Sequence, residues 1–238
     1  MRSFDLRHGG GMRDLPFSLW VRRQQLAAGE RLVLDEAHGD EAVFVQDGSL
    51  VFEGRELEVG GAAVIEAGAS ATFLGGTAGA TIVHFGPTDP QPPTTGAYGP
   101  PHDAPRGVHL IGPAGLLAIE QPGRSTRFFA DSACETCRIT LFSTARNQTF
   151  RSASHSHSED EILYVLDGEI VVGGETLHPN MGVAIPGGVP YGFRSGEQGF
   201  RFLNYRRDVS TYRRSVDKHE VLEQPRNAPD IAVVDDRR

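Results

Sequence analysis

The chain has 238 residues, 39% hydrophobic and 23% charged, the make-up of a folded globular protein with room for one large β domain or two small ones. Its net charge of −8 disfavours nucleic acid as the main partner, because phosphate binding needs a basic field. Two cysteines are too few for a disulfide scaffold, and no run approaches the roughly 18 apolar residues of a membrane helix. The opening residues, Met1 to Gly11, lack the apolar core of a secretory signal, so the expectation is a cytoplasmic protein with no membrane partner.

With 29 glycines and 15 prolines, turns are frequent, which favours many short strands over long helices. In chain order, strands are expected over 42–45, 49–52, 62–65 and 81–85. Residues 86–106 carry seven prolines, from Pro87 to Pro105, and read as an extended connection. Residues 161–172 form two β-branched runs broken by Asp167-Gly168, a hairpin signal, with further turns at Gly173-Gly174 and at Pro186 to Pro190. Phe200 to Tyr205 gives another strand. The last thirty or so residues are charged and read as a solvated tail, or as an arm whose run Ile231 to Val234 pairs with a sheet edge.

A shift of 120 residues aligns 41–85 with 161–205. Twelve of the 45 positions are identical, among them Glu41 with Glu161, Asp47-Gly48 with Asp167-Gly168 and Phe73 with Phe193. Several of the matches are turn glycines separated by apolar alternation. The chain is therefore expected to hold a duplicated β unit, as a sandwich or barrel.

The site signal is His155-Ser156-His157-Ser158-Glu159-Asp160-Glu161. On a strand, residues two apart share a face, so His155 and His157 project together, and a turn at 158–160 returns Glu161 beside them. Two imidazoles and one carboxylate suit Fe(II), Mn, Zn or Ni and leave coordination positions for ligands. A solvated hairpin rich in His and acid is the alternative on spacing alone.

These residues resemble the cupin superfamily. His155, His157, Glu161 and Gly168 match its first motif, and Gly182, Pro186 and Gly188 match its second. With the repeat, the chain resembles a bicupin over roughly residues 20–86 and 110–206. The resemblance implies an all-β fold of two tandem antiparallel barrels. The boundaries expected are 1–86 for the first barrel, 87–108 for a linker, 109–206 for the second barrel and 207–238 for the tail. It also implies one divalent metal per chain on His155, His157 and Glu161, and often a homodimer. Two positions depart from the pattern: Thr149 stands where the family has Gly, and Tyr191 where it has a third His. Tyr191 is thus expected to line the pocket with a free hydroxyl, or to bind the metal. The first copy has Asp35, Ala37 and Ala71 at the donor positions and keeps only Glu41, so no equivalent metal site is expected there.

If the strand is unbroken, parity places Arg151 on the His155 face, where an inward cation needs an anionic partner such as the substrate; the alternative is a barrel-mouth Arg in water, or a bulge that breaks the parity. Phe193 and Leu163 are expected to line the pocket, with Asn204 as a polar contact. Cys134 and Cys137 read as a pair without function, because zinc needs two more ligands and no other cysteine exists. His84 and His109 read as solvated or packed. The expected function is a metal-dependent bicupin enzyme acting on a small molecule in the second barrel, favoured as a non-haem Fe(II) dioxygenase with Tyr191 in a catalytic role. The alternatives are a Mn-, Zn- or Ni-dependent hydrolase, isomerase or lyase, and a non-catalytic small-molecule binding protein.

Overall fold

The computed structural model describes residues 1–12, 17–90, 106–131, 134, 136–208, 210–214 and 220–222. Most of the expected linker, and the tail beyond 222 with its run at 231–234, lie outside the described residues.

Period-2 alternation is the signature of the long strands, but here both alternating sets are apolar. In 161–166, Leu163 and Val165 enter one core while Ile162, Tyr164 and Leu166 enter another. A strand buried on both faces must lie between two packed layers.

Among the described residues the elements are all strands. The first half holds β1 (Arg2–Asp5), β2 (Gly10–Gly11), β3 (Leu19–Leu26), β4 (Arg31–Leu34), β5 (Glu41–Phe52), β6 (Arg55–Glu58), β7 (Ala62–Ile65), β8 (Ala71–Pro87) and β9 (Val108–Ile111). The second holds β10 (Leu117–Gln121), β11 (Arg124–Ala130), β12 (Ile139–Arg146), β13 (His155–His157), β14 (Glu161–Val172), β15 (Glu175–Leu177), β16 (Met181–Ile185), β17 (Phe193–Arg207), β18 (Thr211–Arg214) and β19 (Glu220–Leu222). They form two eight-stranded antiparallel sheets and a three-stranded one, β13-β18-β19.

Each eight-stranded sheet wraps its own core. Val43, Val45, Phe73 and Ile82 fill the first, and Leu163, Val165, Val183 and Phe202 fill the second. A third core joins the sheets back to back. There Phe85 stacks on Tyr205 at 5.3 Å, and Phe44 meets Phe129 edge-on at 5.6 Å. The Tyr205 hydroxyl donates to the Asp40 carbonyl at 2.9 Å, which satisfies a buried polar group across the junction.

The sheets depart from the sequence expectation in three places. β1 pairs with β16 in the second sheet, and β9 pairs with β7 in the first, so both cross the expected boundaries. Asp167-Gly168 is not a hairpin. β14 runs straight through it, with bulges against β17 on either side, and Asp47-Gly48 repeats this in β5 against β8. Gly168 has φ +66, and a Cβ there would lie 2.2 Å from the Gly199 carbonyl oxygen, so the partner strand itself excludes a side chain. Lastly, the start of the expected tail is ordered as β18, whose Arg214, Arg213 and Tyr212 pair with His155, Ser156 and His157.

Candidate metal centre

β13 is three residues long and is held from both sides. On one side it pairs with β18. On the other, His155 and Tyr191 exchange both backbone hydrogen bonds at 2.8 Å, and the Gly188 amide donates to the His157 carbonyl at 2.6 Å. The Pro186-Gly187-Gly188 turn comes so close that a Cβ on Gly187 would sit 2.2 Å from the Ser158 carbonyl oxygen. The clamp aims both imidazoles into the second barrel, where His155, His157 and Glu161 are all buried.

His155 Nδ1 lies 2.9 Å from the Ala153 carbonyl. A carbonyl only accepts, so Nδ1 carries the proton and Nε2 is the basic nitrogen, the tautomer of a metal ligand. The rings of His155 and His157 are 5.2 Å apart and nearly perpendicular. Tyr191 packs on His155 at 4.4 Å between centroids, and Phe193 stacks on Tyr191 at 6.4 Å. Leu163 is buried in the same core.

Glu161 is held by Asn204, whose Nδ2 donates to Oε2 at 2.8 Å. Glu161 Oε1 is buried and makes no hydrogen bond of ordinary geometry, although the Tyr191 hydroxyl comes near enough to the carboxyl to pull its pKa down. Burial outweighs that contact, the Arg206 charge and the Asn204 bond, so the Glu161 pKa stands above the usual carboxylate range.

The inward cation is Arg206, not Arg151. Arg151 is exposed, because residues 152–154 leave the strand and break its parity with His155; its backbone bridges Arg194 instead. Arg206 is buried. It donates from Nε to Asn204 Oδ1 at 3.0 Å and from a terminal nitrogen to His157 Nδ1 at 2.8 Å. A guanidinium never accepts, so His157 is neutral with its proton on Nε2. Burial first, then Arg206 and His155, holds the His157 pKa down to about 2. Ser210 Oγ lies 3.3 Å from His157 Nδ1, and the Tyr212 ring sits 5.1 and 5.5 Å from His155 and His157.

The fit to a divalent ion is therefore uneven. His155 and Glu161 present a lone pair and an unsatisfied carboxylate oxygen, as ligands must. His157 does so only when Arg206 leaves its Nδ1 and the ring proton moves there. Among the described residues, the donor trio whose atoms all lie within 4.8 Å of one another is instead Glu66, Cys134 and Cys137.

In the first barrel, Glu41 takes a hydrogen bond from His84 at 2.6 Å, both buried, and Trp20 meets His84 edge-on at 4.9 Å. His84 stands 120 residues before Asn204, so the repeat keeps a polar side chain on the same carboxylate. Glu41 borders a cleft of about 320 Å³ with Trp20, Ala37, His38 and Pro87.

Arg206, Ser210 and Tyr212 were not legible as site residues. Arg206-Arg207 reads as the start of a charged tail, and only the parity of Arg206 with Phe202 and Asn204 marks it as inward. Ser210-Thr211-Tyr212 carries a weak β signal.

No family model matches the chain, and no curated protein matches it. Solved structures do. One point variant of Bacillus subtilis oxalate decarboxylase aligns with TM-score 0.66 at 13% identity, over 87% of this chain and 77% of that one. A second point variant of the same protein aligns with TM-score 0.67 at 13% identity over the same shares. Lactobacillus farciminis oxalate decarboxylase in a formate complex aligns with TM-score 0.63 at 12% identity, over 87% of this chain and 86% of that one. At such identities the likeness speaks for architecture alone: the chain has the all-β, antiparallel cupin jelly-roll fold that the oxalate decarboxylases share.

Proposed function

We propose that this chain is a metal-dependent bicupin enzyme acting on a small carboxylate in the second barrel. The observation that supports it is the buried array of His155, His157, Glu161 and Tyr191 closed off by the Arg206 guanidinium. His155, His157 and Glu161 hold one divalent ion in this reading, with Asn204 orienting Glu161. The ion, when bound, supplies Lewis acidity at a substrate oxygen. Arg206 exchanges His157 for the substrate carboxylate, a bidentate partner that suits a guanidinium better than one imidazole nitrogen. Substrate entry and completion of the ligand set are then one event. Tyr191 places a hydroxyl beside Glu161 for proton transfer, and Phe193 and Leu163 keep water scarce.

The lyase alternative is preferred over the dioxygenase. The structural neighbours are oxalate decarboxylases, and the one from Bacillus subtilis carries Mn(II) centres, so Mn(II) replaces Fe(II) as the favoured ion. A homodimeric, cytoplasmic protein completes the proposal. Among the described residues no helix is long and apolar enough to cross a membrane.

The test is to purify the full chain and the His155→Ala/His157→Ala variant, load both with Mn(II), and measure bound metal, carbon dioxide release and oxygen uptake on oxalate and other small dicarboxylates. The expected result is metal bound through these histidines and carbon dioxide release without matching oxygen uptake. Arg206→Met should bind metal at least as tightly but lose kcat/KM, mainly through a raised KM. Equal metal in wild type and the double variant refutes the site. Stoichiometric oxygen uptake returns the reaction to the dioxygenase.

A further inference from the structure

Glu66 follows β7, and His109 lies on β9, both in the first sheet. Cys134 and Cys137 lie between β11 and β12 of the second. The junction brings these distant segments together. A Glu66 carboxylate oxygen, Cys134 Sγ and Cys137 Sγ all lie within 4.8 Å of one another, and Glu66 and Cys137 are buried. His109 Nε2 is 3.0 Å from Glu66 Oε1, and Cys134 Sγ is 3.8 Å from the same oxygen. Asp40, also buried, takes hydrogen bonds from the Ala67 amide at 2.8 Å and the Arg138 amide at 3.3 Å, and adds negative charge nearby.

We propose that Cys134, Cys137, Glu66 and His109 bind one zinc ion that ties the two barrels together. Three points carry the assignment. The first is donor chemistry. Two sulfurs, an imidazole and a carboxylate are the ligand types zinc takes in closed tetrahedral sites, and the Cys-x-x-Cys spacing of Cys134 and Cys137 supplies two of them. The second is spacing. Bonds of roughly 2.0–2.3 Å at tetrahedral angles put ligand atoms about 3.3–3.8 Å apart; Cys134 meets that span at 3.8 Å from Glu66, the two thiols and a Glu66 oxygen lie within 4.8 Å of one another, and His109, 3.0 Å from Glu66, closes onto the sulfurs as the ion binds. The third is charge. Glu66, Asp40 and Cys137 are buried and Cys134 is half-buried, so the thiolates formed on binding need a cation beside them, and the ion supplies it. Each thiol gives up its proton on binding, so loading releases up to two protons and changes no oxidation state.

The ligands come from both sheets, so the ion acts as a cross-link and stabilises the folded chain by mass action. The site shares no residue with the His155 centre and does not depend on that centre's chemistry.

The experiment uses the full chain, reduced and stripped with a chelator, then titrated with Co(II) and Zn(II). Cobalt bound by thiolates gives a near-ultraviolet sulfur-to-metal charge-transfer band, which the His155 centre cannot produce because it contains no sulfur. The expected result is that band at one equivalent, its displacement by Zn(II), and a zinc-dependent rise in unfolding temperature. Cys134→Ser/Cys137→Ser should lose both the band and the rise, whereas His109→Ala should keep the band and bind at least tenfold more weakly. His109 is half exposed, so that variant is expected to fold even if the double cysteine variant does not. No thiolate band in the wild type overturns the proposal, as does a Cys134–Cys137 disulfide in freshly purified protein without zinc. An unchanged affinity in His109→Ala removes the fourth ligand and overturns the site as stated.

Discussion

His157 should make the protein acid-labile by a calculable amount. The ring is neutral and buried, and burial, Arg206 and His155 lower its pKa from 6.5 to about 2. Above pH 6.5 neither folded nor unfolded chain holds that proton, and the stability is complete. Below pH 6.5 the unfolded ring takes up a proton that the folded ring refuses, so stability falls with pH. At 1.36 kcal/mol per unit, the two units from pH 6.5 to 4.5 cost about 2.7 kcal/mol. Glu161, Asp40 and Glu159 work in the opposite sense, since burial raises their pKa values and the folded chain gains protons first. The measurement is therefore a difference. His157→Asn keeps a neutral acceptor for Arg206 and has nothing to titrate. Urea unfolding of wild type and variant at pH 7.5 and pH 4.5, with chelator, should show the wild type losing about 2–3 kcal/mol more than the variant. Parallel losses within about 0.5 kcal/mol would mean that His157 titrates as it does in water, and would refute the burial and the Arg206 contact that keep the ring neutral.

Two further predictions concern the scaffold. Gly168→Ala meets a backbone oxygen at 2.2 Å and a φ of +66, whereas Gly174→Ala has φ +84 with nothing within 4 Å. Denaturant titration should show about 1 kcal/mol lost at Gly174 from backbone strain alone, and at least twice that at Gly168; equal losses would contradict the close strand approach. Removing residues 1–6 uncovers the β16 edge and takes the buried Leu6 from the joint core. The truncated chain should lose about 3 kcal/mol, counting one buried leucine and several ladder bonds, and should aggregate by light scattering. An unchanged unfolding midpoint would show that β1 contributes nothing to the second sheet.

The fold was legible because it is written in local rhythm. Alternating apolar residues, glycine punctuation and a 120-residue echo are properties of neighbouring positions, and they specify strands and duplication directly. Asp167-Gly168 misleads because a left-handed glycine serves a bulge as well as a hairpin; what decides is the opposite strand, which sequence does not display. His155, His157 and Glu161 stood out by spacing. Arg206 did not, since its role comes from β17 running on past the expected strand end. The Cys134 pair looked idle for a similar reason: Glu66 and His109 reach it only through the packing of the two sheets.

The pairing of β1 and β9 also records how such a chain can arise. β16 is the echo of β7, and β1 lies against β16 as β9 lies against β7. β1 precedes the first repeat and β9 the second, so each repeat lends its leading strand to the other. Two unlinked copies of the ancestral repeat, exchanging those strands, would make a twofold-symmetric homodimer in which neither copy is complete alone. Fusing the genes would turn that dimer into one polypeptide without altering its strand pairing. One copy then loses its histidines at Asp35 and Ala37 while continuing to complete the sheet that carries Glu161.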